Sequence, residues 1–128
     1  MTIDHIAIWT NDLERMRAFY QKYFNLSCGK KYVNNKKGFA SYFLSFKKGA
    51  RLEIMTRNDI GNESVANEIK KGLIHFAISV GSKEAVDKIT EQLRSDGFKI
   101  FGEPRTTGDG YYESVIADPD GNQIELTE

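Results

Sequence analysis

Two histidines and two glutamates stand at matched places in the two halves of this chain, and both types of side chain commonly bind metal ions. His5 and His75, the only histidines, each lie inside a short apolar run. Glu53 and Glu125 each lie inside a later apolar run, at nearly the same distance from the preceding histidine. Two imidazoles and two carboxylates can hold one divalent ion and leave coordination positions free for a substrate.

Each of these residues also has an ordinary structural explanation. A single histidine on a strand is more often a hydrogen-bonded core or surface residue than a metal ligand, and a strand glutamate usually lies on a solvated face. Their repetition at equivalent places favours the interpretation that these residues bind a metal ion. A carboxylate buried without a partner costs on the order of several kcal/mol, and one ion would remove that cost for both glutamates.

The elements that position these residues follow the order strand, helix, three strands, and this order occurs twice. In the first half the pattern predicts a strand over 2–10, a helix over 12–24 with Asn11 as its N-cap, and strands over 29–34, 39–47 and 50–57. In the second half it predicts a strand over 73–80, a helix that begins at Gly81-Ser82 and ends at Gly97, and strands near 98–103, 111–117 and 122–127.

This repeat predicts an α+β fold made of two tandem modules. We expect module one to span 1–57, a polar connector to span 58–72 with a helical turn around 64–70, and module two to span 73–128. One such module is too small to bury its sheet well, so we expect the two to pack together as a single domain over 1–128.

Strand alternation predicts that the four candidate ligands lie on mixed, cavity-like faces. His5 shares a face with Trp9, and Glu53 shares one with Met55. The opposite faces are more purely apolar and suit packing under the helices; they carry Ile6 and Ile8, Leu52 and Ile54, Ile74, Phe76, Ile78 and Val80, and Ile124 and Leu126.

Composition narrows the class of protein. The chain has 128 residues, of which 40% are hydrophobic, with 18 basic and 18 acidic side chains. Balanced charge predicts no general affinity for nucleic acid or anionic membranes. A single cysteine, Cys28, excludes an intramolecular disulfide framework. With no signal peptide and no apolar run long enough to span a bilayer, we expect a cytoplasmic protein with a small-molecule substrate.

The opening and the ending of the chain carry a family resemblance. The opening is Ile3-Asp4-His5-Ile6-Ala7-Ile8, followed by Asp12-Leu13 and Phe19-Tyr20, and the ending is Asp118-Pro119-Asp120-Gly121-Asn122-Gln123-Ile124-Glu125-Leu126. Together they resemble the glyoxalase I, bleomycin-resistance and ring-cleaving-dioxygenase superfamily, the vicinal oxygen chelate proteins. That resemblance implies two βαβββ modules that form a curled mixed sheet around a metal cleft, with His5, Glu53, His75 and Glu125 at the ligand positions.

The ligand set resembles that of bacterial glyoxalase I. The resemblance implies a lactoylglutathione lyase-like enzyme with one nickel, cobalt or zinc ion. It would isomerise a thiol hemithioacetal of a 2-oxoaldehyde such as methylglyoxal through an enediolate. Glu125 is the first candidate for the base that moves a proton between the two carbons, and Glu53 is the second.

The substrate site is expected to be walled by apolar side chains, and the candidates are Trp9, Phe43, Met55 and Phe39. The expected assembly is a homodimer that exchanges modules between chains.

Two positions depart from the glutathione-using pattern. Trp9 stands where those enzymes commonly have an arginine, and Arg57 stands where they commonly have an asparagine. Arg57 and Arg51 could still engage an anionic group of the substrate, so the carrier thiol stays open. The alternatives are a protein that sequesters a small molecule of the antibiotic type, and another metal-dependent reaction of the superfamily, such as epimerisation or dioxygenation.

Overall fold

The computed structural model describes residues 1–61, 72–108 and 110–128, and the chain divides into two compact units. The first unit is Met1–Ala66 and the second is Asn67–Glu128. The predicted helical turn at 64–70 lies outside the described residues. None of the helices in the described part of the chain is long and apolar enough to cross a membrane.

The first unit is a mixed sheet with one helix. Its elements are β1 (His5–Trp9), α1 (Leu13–Phe24), β2 (Ser27–Cys28), β3 (Tyr32–Asn34), a 3-10 turn (Asn35–Lys37), β4 (Phe39–Ser45) and β5 (Arg51–Arg57). The sheet order is β1-β5-β4-β2, and β3 also pairs with β4. The first and last strands of the unit are therefore neighbours, and they run parallel.

The second unit repeats this arrangement. Its elements are β6 (His75–Ser79), α2 (Lys83–Ser95), β7 (Ile100–Thr106), β8 (Tyr112–Ala117) and β9 (Gln123–Thr127). The sheet order is β6-β9-β8-β7, with β6 and β9 parallel. The predicted α+β class is confirmed, and the order strand, helix, strands occurs in both units.

Two local predictions were wrong. The strand predicted over 29–34 is shorter in the structure, where only β3 (Tyr32–Asn34) lies in that range and β2 (Ser27–Cys28) precedes it. The segment between Cys28 and Tyr32 is one residue longer than the opposing segment between Leu44 and Ser41. Such an extra residue interrupts the ladder as a β-bulge does. The helix N-cap is Asp12 rather than Asn11.

The Asp12 carboxylate caps α1 because it can reach a backbone amide of the first turn. Its Oδ1 accepts a hydrogen bond of 3.0 Å from the backbone N–H of Arg15. Its own backbone N–H donates to Oγ1 of Thr10 at 3.1 Å. This pair of contacts fixes the path from β1 into the helix, which matters because β1 carries His5.

Each helix covers the apolar face of its own sheet. In the first unit α1 contacts β4 and β5 and buries Met16 and Tyr20 completely. In the second unit α2 contacts β7, β8 and β9 and buries Val86 and Leu93 completely. The sheet residues in these two cores include Leu52, Ile54, Ile124 and Leu126, which sequence alternation assigned to the apolar faces. Ile74 was assigned to such a face too, but it is 61% exposed.

We expect the strand residues beside the two glutamates to contribute strongly to stability. Ile54→Ala and Leu126→Ala should each lower the free energy of unfolding by about 2–5 kcal/mol, because each leaves a cavity in a fully buried site. Ile3→Ala and Leu73→Ala remove the same side chains from exposed positions and should change it by less than about 0.5 kcal/mol. Urea unfolding of the four variants measures the difference. Equal losses in a buried variant and its exposed control would contradict this packing.

Candidate functional site

His5 and Glu53 face each other across the parallel pair β1 and β5. The register sets Ala7 opposite Glu53, so His5 lies two residues earlier on the same face. Nε2 of His5 lies 3.8 Å from Oε2 of Glu53. The Glu53 side chain is only 15% exposed, so it is largely removed from water.

His75 and Glu125 make the same arrangement in the second unit. Ala77 of β6 lies opposite Glu125 of β9. Nε2 of His75 lies 3.5 Å from Oε2 of Glu125, and the glutamate side chain is 20% exposed. The two histidine–glutamate pairs are therefore built on equivalent strands with an equivalent register.

The separation of the donor atoms suits a shared metal ion. Two ligand atoms at about 2.1 Å from one ion, at ordinary coordination angles, lie roughly 3.0–3.4 Å apart. The observed distances of 3.8 Å and 3.5 Å are slightly longer than this range. The histidine and glutamate of each unit thus suit a metal ion in donor type and in spacing. Over the described ranges, no group of three or more His, Cys, Asp or Glu side chains is gathered closely enough to hold an ion.

Asp4 is a member of this site that the sequence analysis missed. Its Oδ1 lies 2.8 Å from Nδ1 of His5 and 2.6 Å from Nη2 of Arg51. The hydrogen bonds from His5 and then from Arg51 hold the pKa of the Asp4 carboxyl below its ordinary value. With Nδ1 engaged by Asp4, Nε2 is the ring nitrogen that faces Glu53. The sequence feature that could have identified Asp4 is its position directly before His5. In the sheet register, Arg51 lies opposite His5.

Phe43 lies directly beside the first histidine–glutamate pair. It is opposite Glu53 in the antiparallel pair β4 and β5, and its ring meets the imidazole of His5 edge to face, with centroids 5.3 Å apart. The guanidinium carbon of Arg51 lies 4.3 Å from the centre of the same ring. Phe43 therefore restricts the space around both His5 and Arg51.

Further along the same face, Trp9 and Met55 lie opposite each other, and Phe39 lies opposite Arg57. The Trp9 ring is 47% exposed and meets Phe39 edge to face at 6.2 Å between centroids. The residues predicted to wall a substrate site thus form one apolar strip, which consists of Trp9, Phe39, Phe43 and Met55. At about 3.3 Å per residue, Trp9 and Met55 lie roughly 7 Å along the strands from Glu53.

Arg57, predicted as a substrate-binding residue, is already paired within the chain. Its Nε and Nη2 donate to the two carboxylate oxygens of Asp59, each at 2.5 Å. This contact raises the pKa of Arg57 and lowers that of Asp59. The guanidinium also lies 6.0 Å from the centre of the Trp9 ring. The sequence analysis did not identify Asp59 as its partner, because the pair depends on the turn that follows β5.

The corresponding face of the second unit carries different side chains. Val115 lies opposite Glu125, and Glu113 lies two residues away on the same strand. Glu113 Oε1 accepts a hydrogen bond from Nη2 of Arg105 at 3.2 Å, and the carboxylate is only 12% exposed. Alternation in β8 places Glu113 on the same face as Glu125. The sequence analysis did not identify Glu113 as a neighbour of this pair.

Comparison with known proteins identifies relatives over nearly the whole chain. Residues 2–126 match the family model of the Glyoxalase/Bleomycin resistance protein/Dioxygenase superfamily. The uncharacterized protein YqjT of Bacillus subtilis is 30% identical over 126 residues, which cover 95% of this chain and 94% of that protein.

Solved structures of glyoxalase I share the fold. The crystal structure of glyoxalase I from Zea mays matches with a TM-score of 0.79 at 25% identity, over 98% of this chain and 44% of the maize chain. This chain therefore spans less than half the length of the maize protein. A trypanothione-dependent glyoxalase I from Leishmania major matches with a TM-score of 0.78 at 21% identity, over 100% of this chain and 86% of that one. Because the family model covers nearly every residue, the chain belongs to the Glyoxalase/Bleomycin resistance protein/Dioxygenase superfamily.

Proposed function

We propose that this protein is a metal-dependent lyase or isomerase of the glyoxalase I type, acting on a thiol hemithioacetal of a 2-oxoaldehyde. The observation that carries the proposal is the equivalent pairing of His5 with Glu53 and of His75 with Glu125, at 3.8 Å and 3.5 Å. Membership of the superfamily supports it. Each pair supplies two donor atoms, so the proposed set of four ligands requires both pairs.

The proposed cofactor is one divalent ion, nickel, cobalt or zinc, held by His5, Glu53, His75 and Glu125. Imidazole nitrogen and carboxylate oxygen are suitable donors for these ions. When bound, the ion would supply Lewis-acid stabilisation of negative charge on two adjacent substrate oxygens.

Within this proposal the protein's own groups position the substrate and move the proton. Glu125 takes a proton from one substrate carbon and returns it to the neighbouring carbon; Glu53 is the second candidate for this role. Trp9, Phe43 and Met55 would cover the reacting carbons with apolar side chains and keep water from them.

A second candidate function is sequestration of a small molecule without chemistry. The exposed aromatic residues of the first unit favour it, because Tyr32, which is 56% exposed, lies 6.0 Å from Phe39 between ring centroids. Such a surface binds flat apolar molecules whether or not a reaction follows. Metal content separates the two candidates, since sequestration needs no ion.

The four ligands should respond unequally to substitution. His5→Ala and His75→Ala should chiefly lower metal affinity, because each removes a nitrogen donor. Glu125→Gln keeps an oxygen donor but removes the base, so metal should stay while turnover falls by about 10²–10⁴-fold. Elemental analysis and turnover of methylglyoxal with a thiol are measured on the same samples. If Glu125→Gln retains its metal and turns over at the parental rate, Glu125 is not the base and Glu53 becomes the candidate. Retention of metal and activity in all the variants would place the site elsewhere.

The carrier thiol should be less anionic than glutathione. Arg51 and Arg57, the cations on the face of Glu53, are already paired with Asp4 and Asp59. We expect a neutral thiol to give a higher kcat/KM than glutathione. Asp59→Asn would release Arg57 and should raise kcat/KM for glutathione by about two- to fivefold, the range for an exposed ion pair. The neutral thiol is the control, because its rate should not change. A parent enzyme that prefers glutathione would contradict this expectation.

The proposed assembly is a homodimer in which modules 1–57 and 73–128 of different chains complete each site. Superfamily members often pair modules in this way, and symmetric dimers are the commonest oligomers. The substrate is a small molecule, and no nucleic acid or membrane partner is proposed.

Mixing two inactive variants tests this exchange. In a heterodimer of His5→Ala and His75→Ala, exchanged modules give one site with both lesions and one intact site. Co-refolded variants should therefore regain about a quarter of the parental metal content and turnover, since random pairing makes half of the dimers mixed. Sites built within one chain would leave the mixture as inactive as either variant. Light scattering that finds a monomer at micromolar concentrations would exclude the dimer.

A further inference from the structure

The two histidine–glutamate pairs differ in what holds the histidine. In the first unit Nδ1 of His5 contacts Asp4 Oδ1 at 2.8 Å, and Arg51 Nη2 contacts the same oxygen at 2.6 Å. The backbone N–H of Arg51 also donates to the backbone carbonyl of Asp4 at 2.9 Å, so Arg51 holds both the backbone and the side chain of Asp4. In the second unit the residue before His75 is Ile74, and no described side chain contacts Nδ1 of His75 in this way.

This contact determines which ring nitrogen carries the proton. A neutral imidazole has one N–H, and an ionised carboxylate can only accept a hydrogen bond. The Asp4 side chain is exposed to solvent, and an exposed aspartate is ionised near neutral pH. His5 therefore donates from Nδ1, and the lone pair of Nε2 is available on the side of Glu53. A histidine without such a partner can place its proton on either nitrogen.

We infer that Asp4 is a positioning residue, which fixes His5 as the Nδ1–H tautomer and leaves its Nε2 lone pair available to a divalent ion. Arg51 holds Asp4 in place. Carboxylates that orient a metal-binding histidine fix its ring and its tautomer, and their loss typically lowers metal affinity about 10–100-fold. The metal part of this inference rests on the proposed function, whereas the tautomer part concerns the metal-free chain alone.

The presence of only two histidines makes the tautomer directly measurable. In ¹⁵N-labelled, metal-free protein at about pH 8.5, where an ordinary imidazole is neutral, long-range ¹H–¹⁵N spectra should show two imidazole patterns. We expect one ring, His5, to be almost entirely Nδ1–H and the other, His75, to populate Nε2–H. His5→Ala assigns the signals. In Asp4→Ala the His5 ring should move toward a mixture, whereas Asp4→Asn should retain more of the Nδ1–H form, because the amide oxygen can still accept.

Asp59→Ala is the matched control. It removes an aspartate that is also paired with an arginine on a strand of the same sheet but does not contact a histidine, so both tautomers should remain as in the parent. Because the Asp4 side chain is 71% exposed, its loss should leave the fold intact, which the amide spectrum verifies. A His5 ring that is mainly Nε2–H in the parent, or that is unchanged in Asp4→Ala, would overturn the inference.

Zinc titration of the same proteins tests the metal part. We expect affinity to fall about 10–100-fold in Asp4→Ala and to stay at the parental value in Asp59→Ala. If zinc binds the parent and Asp4→Ala equally, the metal part of the inference is wrong and the proposed metal site stands. If the parent binds no divalent ion but His5 is held as Nδ1–H, the proposed function is wrong and the tautomer assignment stands.

Discussion

The parallel pairing of the first and last strands is the constraint on which each unit depends. β1 lies beside β5 and β6 beside β9, with the histidine two residues before the position opposite the glutamate. Parallel neighbours cannot be joined by a tight turn and need a long crossover. The helix and the intervening strands of each unit supply it, so most of each unit serves to bring one histidine and one glutamate together.

This register is secured by the opposite face of the same strands. Glu53 alternates with Leu52 and Ile54, which are almost fully buried, and Glu125 alternates with Ile124 and Leu126 in the same manner. A slip of one residue would turn the glutamate toward the helix and expose its apolar neighbours. Hydrophobic burial under α1 and α2 therefore opposes any register that would separate the paired side chains.

The parts of this structure that sequence could predict are those with a local cause. Alternation predicted the faces of Glu53 and Glu125, and helical spacing predicted α1 and α2. The bulge between β2 and β3 was missed because it depends on a length mismatch with the opposing strand. The contact of Asp4 with Arg51 was missed because it depends on the register between distant segments. The contact of Arg57 with Asp59 was missed because it depends on the turn that follows β5. Binding of one ion by all four ligands would require residues of both units, so it stays a prediction.

The unequal surroundings of the two pairs bear on which glutamate would move the proton in the proposed reaction. Glu53 faces a histidine that Asp4 and Phe43 restrain, at 2.8 Å from the ring nitrogen and 5.3 Å between ring centroids. Glu125 faces His75, which lacks a comparable contact among the described residues. A ligand that must loosen its hold to accept a proton is better placed where its surroundings are less constrained. Under the proposed function, the more restrained pair would suit retention of an ion and the less restrained pair would suit proton transfer, so Glu125 is the preferred candidate for the base.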